Sequence, residues 1–408
     1  MSGAVYSPDG KYISYSYPRE GDTRYGGEIF IAPAGGGEGR SLTHDMDRNV
    51  RTTRWMPDSS SLLIRANEGT TPGLWIQPLD GPAQRLDVGS AVPGSAISVS
   101  RSGQIALLAS EPDRPTELYY ITTPGNIPKR LTDFNAHIAA LDLGKQESFS
   151  WCGADDYDMD GILTYPPDYH PGQSYPLVLS IHGGPRGTST MGFSMRAQWL
   201  ASHDWIVFQP NYRGSDNLGN EYTAAIWNDA GAGPGRDVIS GVDLLIQRGI
   251  VDPSRMAVSG WSYGGYMTTW LLGNYPDRWK AGIAGASVTD HIDQYVLSDI
   301  HSSVATYYGG SPFTNPKRLQ AYREQAPITY ATQIKAPTLI LCDTGDQRVP
   351  ITESFILYHI LRDNGVKTQF IAYPVAGHHP ADPVHKRDRE RRWAAWLQEH
   401  LVTTNINP

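Results

Sequence analysis

The sequence predicts two fold classes in one chain: an all-β region of repeated short strands, then an α/β domain built on a mostly parallel sheet. Three observations predict this. Strand-and-turn segments recur with a period near 45 residues through the first third of the chain. From Ser148 onward, apolar strands alternate with helical stretches, the pattern of a parallel sheet with crossover helices. At Gly260-Trp261-Ser262-Tyr263-Gly264, a β-rich segment passes through a glycine-bracketed serine into an apolar helical pattern.

The repeat comes first. Tyr6-Ser7-Pro8-Asp9-Gly10, Trp55-Met56-Pro57-Asp58-Ser59 and Val99-Ser100-Arg101-Ser102-Gly103 align as turns, each leading into an apolar strand. A second feature, Glu28-Ile29-Phe30-Ile31, recurs as Gly73-Leu74-Trp75-Ile76 and Leu118-Tyr119-Tyr120-Ile121. A third runs through Arg40-Ser41-Leu42-Thr43, Arg85-Leu86-Asp87 and Arg130-Leu131-Thr132. Short strands, Pro-Asp-Gly turns and this period describe blades of a β-propeller, each burying its faces against its neighbours. About three blades are expected, fewer than the roughly four to eight that close a propeller. The first begins at its turn with no opening strand in the pattern. A partial propeller is therefore expected, either as a fragment or shortened product, or with its open edge covered in a homo-oligomer.

The pattern changes between Ala139 and Gln146, which sets the expected domains at 1–143 and 144–408. Pro176-Leu177-Val178-Leu179-Ser180-Ile181 reads as a buried strand, followed by His182-Gly183-Gly184-Pro185. Trp205 to Pro210 is the next strand, ending at Asn211-Tyr212-Arg213-Gly214-Ser215. A helix from Val238 to Arg248 precedes the strand Arg255 to Ser259, and Tyr266, Met267, Trp270, Leu271 and Leu272 continue the helical pattern after the serine. Thr338 to Leu341 and Thr368 to Tyr373 are later strands. The last helix, Arg387 to Leu401, sets charged residues against Trp393, Trp396 and Leu397, so its charge run is a solvated face.

Composition excludes several classes. A chain of 408 residues with 39% hydrophobic content, 42 Gly and 30 Pro is a turn-rich globular protein of two or three domains. A net charge of −8 and the lack of a Lys/Arg block argue against nucleic acid. No apolar run reaches the length of a membrane span. Cys152 and Cys342 form no disulfide framework and are expected to be buried free thiols. The N-terminus lacks the charged and apolar regions of a signal peptide, which predicts the cytoplasm.

Chemistry converges on acyl transfer. Gly-x-Ser-x-Gly between a strand and a helix forms a nucleophile elbow, in which a Cβ at Gly260 or Gly264 would collide with its neighbours. A serine hydroxyl needs a base, and the base needs an acid to hold its tautomer. Gly377-His378-His379 follows the final strand, and Asp343 and Asp346 share the loop after Leu339-Ile340-Leu341. Spacing alone leaves each pair open. The order Ser, Asp, His is that of the α/β-hydrolases. The oxyanion needs N–H donors, expected from Tyr263, next after the serine, and from the His182-Gly183-Gly184-Pro185 loop. His182 is expected to shape that loop, and His291 and His301 to be surface or packing residues. His378, His379, Asp382 and His385 lack any recognisable zinc spacing, so no metal is expected. Tyr263, Tyr266, Tyr295, Tyr307 and Tyr308 suit a pocket wall and an ordinary core equally.

These segments resemble the prolyl oligopeptidase family, in its dipeptidyl-aminopeptidase and acylaminoacyl-peptidase branch, over essentially the whole chain. The resemblance is carried by His182-Gly183-Gly184-Pro185, Asn211-Tyr212-Arg213-Gly214-Ser215, Gly260-Trp261-Ser262-Tyr263-Gly264-Gly265-Tyr266, Gly345-Asp346-Gln347-Arg348-Val349-Pro350 and Tyr373-Pro374-Val375-Ala376-Gly377-His378. It implies Asp346 as the acid, since it precedes x-Arg-Val-Pro, and His378 as the base, since it follows Gly directly. It implies Gly184 as the glycine of the oxyanion loop. Arg348 is a candidate for holding a substrate carbonyl, with a structural ion pair as its alternative. The resemblance further implies a serine peptidase acting on short peptides, without a cofactor. In dipeptidyl peptidases, acidic residues of the propeller hold the substrate amino terminus, and no matching Glu-Glu pair stands in this sequence. A carboxylesterase acting on small or bulky esters is the alternative chemistry, and a non-catalytic binding scaffold the alternative class.

Overall fold

The three turns that head the repeats close in the same way. The carbonyls of Ser7, Met56 and Ser100 accept from the N–H groups of Gly10 (2.9 Å), Ser59 (3.0 Å) and Gly103 (3.0 Å). The donor residue is left-handed each time, with φ of 73°, 61° and 84°. In the computed structural model, which describes residues 2–402, these turns join the first two strands of three antiparallel four-stranded sheets. The first holds β1 (Ser2–Tyr6), β2 (Tyr12–Pro18), β3 (Gly27–Pro33) and β4 (Arg40–Ser41). The second holds β5 (Val50–Trp55), β6 (Ser61–Ala66), β7 (Gly73–Pro78) and β8 (Gln84–Arg85). The third holds β9 (Val92–Val99), β10 (Ile105–Glu111), β11 (Arg114–Ile121) and β12 (Lys129–Arg130).

The first sheet does have an opening strand, contrary to the sequence expectation. β1 pairs antiparallel with β2, Tyr6 opposite Ile13. Its run Ser-Gly-Ala-Val-Tyr lacks apolar alternation, so no periodic signal marks it. Two cores hold the sheets together. Ile29, Ile31, Val50, Leu62, Ile64 and Trp75 bury against one another from the first and second sheets. Leu63 and Leu74 from the second pack with Ile97, Ile105, Leu107 and Tyr119 from the third.

The chain divides into two compact units. The first comprises Met1–Ser148 together with two short runs from within the α/β segment, Thr188–Met195 and Gly214–Ala225. Polar bonds fasten the second run. Asp216, 2% exposed, accepts from Arg51 Nε (2.7 Å), Asn49 Nδ2 (3.0 Å), Asn67 Nδ2 (2.7 Å) and Thr188 Oγ1 (2.5 Å). Asn220 donates to Asp47 (2.7 Å) and accepts from the Gly26 N–H (2.6 Å).

The second unit comprises Phe149–Gly187, Arg196–Arg213 and Ile226–Pro408. An eight-stranded sheet organises it, in the order β13 (Gln146–Cys152), β14 (Asp158–Thr164), β16 (Ile206–Asn211), β15 (Tyr175–Ile181), β17 (Val251–Trp261), β18 (Ala281–Gly285), β19 (Thr338–Gly345) and β20 (Thr368–Ala376). β14 is antiparallel to β16, and β16 through β20 run parallel. Leu177, Val178, Leu179, Val207, Phe208, Val258, Leu339 and Ile340 are fully buried, as expected of strands covered on both faces. Loops therefore gather at the carboxyl ends of β15, β17, β19 and β20, where sheets of this kind carry ligands. Cys342 is buried in β19, but Cys152 is exposed at the end of β13, correcting the expectation that both thiols are buried. Among the described residues no helix is long and apolar enough to cross a membrane.

Asp216→Ala leaves Arg51, Asn49, Asn67 and Thr188 without their shared acceptor. The expected cost is about 2–3 kcal/mol, below that of a fully buried pair because Arg51 reaches solvent. Thermal unfolding checks this, and a midpoint equal to that of the parent protein would show that water replaces the carboxylate.

Candidate active site

β17 ends at Trp261, and the helix Tyr263–Asn274 begins two residues later. Ser262 makes the reversal alone, at φ 62° and ψ −125°, a conformation that a side chain rarely adopts. Its N–H donates to the Gly285 carbonyl at the end of β18 (2.9 Å), and its carbonyl accepts from Tyr266 (2.9 Å). The flanking glycines are sterically required. A Cβ on Gly260 would overlap the Gly264 backbone, and one on Gly264 would overlap the Ile181 carbonyl.

Asp346 lies on the loop that leaves β19, and His378 follows β20. His378 Nδ1 is 2.6 Å from Asp346 Oδ2. The other carboxylate oxygen, Oδ1, accepts from the N–H groups of Arg348 (2.8 Å) and Val349 (3.0 Å), which aims the carboxylate at the ring. His378 Nε2 is buried and has no hydrogen-bond partner among the described residues. His378 and Ser262 border the same cavity. The Trp261 indole N–H donates to the His378 carbonyl (2.8 Å), so the residue before the serine also holds the histidine loop.

The neighbours left open by spacing are sorted by their surroundings. Asp343 is fully buried and neither of its oxygens has a hydrogen-bond partner among the described residues. Burial, with the Asp346 charge, pushes its carboxyl up to about 6. His379 packs 5.5 Å from the Trp261 ring, and burial, with the His378 charge, brings it down to about 4. Arg348 borders the cavity and its guanidinium pairs with Asp299 (2.7 and 3.1 Å). Among the described residues no group of three or more His, Cys, Asp or Glu is placed to hold a metal ion. His385 pairs instead with Asp382 (2.8 Å), which caps the last helix, Pro383–Leu401.

The glycine loop after β15 lies against the elbow. A Cβ on Gly183 would sit 2.9 Å from the Trp261 carbonyl and 3.2 Å from Ser262 Cβ. Tyr263 opens its helix, so its N–H has no acceptor within the helix. Tyr263 and Gly184 both border the cavity. His182 stacks on Tyr212 at 4.4 Å between ring centroids, and Tyr212 donates to the His182 carbonyl (2.8 Å), bracing the loop. Arg213 is held by Asp237 through Nε (2.8 Å) and the terminal nitrogen (2.7 Å).

The cavity measures about 430 Å³. Tyr263, Tyr266, Tyr307 and Tyr308 are among its walls, whereas Tyr295 packs against Phe313 and Tyr322 outside it. The prolyl oligopeptidase family pattern matches residues 191–404, more than half of the chain. The chain belongs to the prolyl oligopeptidase family. It is 29% identical over 354 residues to the uncharacterized peptidase YuxL of Bacillus subtilis, covering 85% of this chain and 53% of that protein. It is 26% identical over 405 residues to dipeptidyl-peptidase 5 of Porphyromonas gingivalis, covering 97% and 58%. The chain thus spans little more than half the length of these relatives. The fold matches Pyrococcus horikoshii acylaminoacyl peptidase with a TM-score of 0.87 at 24% identity, over 100% of this chain and 64% of that one. An acylaminoacyl peptidase in complex with Z-Gly-Gly-Phe-chloromethyl ketone matches with a TM-score of 0.86 at 25% identity, over 98% and 63%.

Several residues around this family's serine elbow carry no local signal in the sequence. Arg186 borders the cavity, and His291 does so from the first turn of its helix, although sequence spacing suggests only packing for it. Glu353 is fully buried and accepts from the N–H groups of Thr289 and Asp290, both at 2.7 Å, which fixes the loop that presents Val288.

The raised Asp343 carboxyl makes stability depend on pH. The folded chain keeps that proton up to about pH 6, while the unfolded chain loses it near 3.8. Between those values folding binds a proton, so Asp343 lowers stability as pH rises through the window. Asp343→Asn removes the term. Its thermal midpoint relative to the parent is expected to rise from pH 4 to pH 7, and a difference independent of pH would show that Asp343 titrates normally.

Proposed function

We propose that this chain is a serine hydrolase of the prolyl oligopeptidase type that cleaves short peptides, in the manner of an acylaminoacyl- or dipeptidyl-peptidase. The observation that carries this is the 2.6 Å Asp346–His378 pair, whose histidine borders the same cavity as Ser262 on its strained elbow. Ser262 Oγ attacks the scissile carbonyl carbon while His378 Nε2 takes the hydroxyl proton. Asp346 holds the Nδ1–H tautomer and stabilises the imidazolium. The N–H groups of Tyr263 and Gly184 receive the oxyanion. The C–N bond then breaks, the proton passes from His378 to the leaving amine, and an acyl-enzyme remains. Water, deprotonated by His378, releases the acid and restores the serine.

In this proposal Arg348, held by Asp299 at the rim, contacts the substrate carbonyl. The three β-sheets of the first unit act as blades of a partial propeller that restricts entry, with a second copy of the chain covering its open edge. Support for a peptide substrate comes from the peptide chloromethyl ketone bound by one structural neighbour and from the peptidase names of the relatives.

A fluorophosphonate probe tests the proposal. Labelling is expected in the parent chain and absent in Ser262→Ala and His378→Ala. Asp346→Asn is expected to lower peptide turnover by about 10³–10⁴-fold, since the imidazole loses its fixed tautomer. Labelled protein that cleaves only esters would make it a carboxylesterase. Folded protein that takes no label would leave a binding scaffold.

A further inference from the structure

Beside Ser262 the cavity is walled by Ile226, Val288 and Val304 and by the rings of Tyr263, Tyr266 and Tyr307. Polar side chains interrupt this lining: Arg186, Gln294 and Arg348 border the cavity, and so do His291 and Tyr308. His291 and Tyr308 are 7% and 4% exposed and set their rings 5.3 Å apart. Neither His291 nitrogen nor the Tyr308 hydroxyl has a hydrogen-bond partner among the described residues. Gln294 and the Gln325 backbone lie near the imidazole without meeting hydrogen-bond geometry. Buried polar groups are almost always bonded, so such exceptions at a cavity wall mark where a ligand atom belongs.

The two groups are uncharged. Burial brings the His291 imidazole down to about 4 and pushes the Tyr308 phenol well up, so at neutral pH the one is a neutral ring and the other a protonated hydroxyl. A neutral imidazole offers one donor and one acceptor, and a phenol offers both. That pair matches a hydroxyl, which can accept from one group and donate to the other. The surrounding tyrosine rings favour an aromatic body through offset and edge contacts.

We infer that this cavity receives an aromatic side chain with a hydroxyl tip, a tyrosine or tyrosine-like group on the acyl side of the cleaved bond, with His291 and Tyr308 bonding the hydroxyl. The inference rests on the serine hydrolase reading above and names its substrate class. His291 and Tyr308 are then specificity residues that act on the side chain and not on the reacting carbonyl.

Diphenyl phosphonates bearing tyrosine or phenylalanine side chains test this directly, because each reports capture by Ser262 without needing the natural substrate. The tyrosine reagent is expected to inactivate the parent chain about tenfold faster than the phenylalanine reagent. His291→Phe and Tyr308→Phe are each expected to bring that ratio toward one, and His291→Gln, which keeps a donor and an acceptor, to restore part of it. The ratio within one variant cancels any general loss from imperfect folding. Equal or faster reaction of the phenylalanine reagent, no reaction with either reagent, or a ratio unchanged in both variants would overturn the inference. A small fluorophosphonate run in parallel separates the two failures: no labelling removes the hydrolase reading as well, whereas labelling without tyrosine preference removes only this one.

Discussion

The site depends on how closely three stretches of backbone meet at the end of β17. Ser262 sits at φ 62° because its N–H is held by Gly285 and its carbonyl by Tyr266. Such a conformation costs on the order of 1–3 kcal/mol and persists only where the surroundings leave no alternative. Here they leave none, because a Cβ at Gly260 or Gly264 would strike backbone. The same strand end also reaches the histidine loop, through the Trp261 indole and the His378 carbonyl. One short segment thus positions Ser262 and also holds the loop that carries His378.

The acid side shows how environment divides two identical residues. Asp346 and Asp343 stand three positions apart, and both are buried. Asp346 is bonded by two backbone N–H groups and an imidazole, so its charge has partners. Asp343 has no hydrogen-bond partner among the described residues, and lies beside that charge. Its proton is retained because a second ionised carboxyl there would be both desolvated and repelled. His378 and His379 divide similarly: the first ring meets a carboxylate, while the second packs on Trp261 and stays neutral.

The stretch from Asn211 to Asn220 works in both units. Its first part braces the glycine loop through Tyr212 and ties Arg213 to Asp237. Its second part belongs to the first unit, where Asp216 and Asn220 satisfy donors from β5 and from loops of the β-sheets. A polar sequence that reads as a simple strand-to-helix connection therefore carries two separate sets of obligations, each built from buried bonds.

Much of this was legible in the chain itself. Period and turn chemistry located the three β-sheets, because a Pro-Asp-Gly turn and an apolar strand depend on neighbours only a few residues away. The alternation after Ser148 located the α/β sheet for the same reason. The elbow could be read because strand, glycine, serine, glycine and helix are consecutive. β1 could not, because its residues lack a period, and the burial of Cys152 was misjudged because burial is set by what covers a strand end. Spacing left Asp343 with Asp346 and His378 with His379 open, and the family motifs pointed to Asp346 and His378; tertiary structure supplied the contact between those two and drew residues 188–195 and 214–225 into the first unit. It alone turned His291 toward the cavity with Tyr308. Local pattern determines which element forms; only packing across distant segments decides which polar atoms lose water and which partner they find.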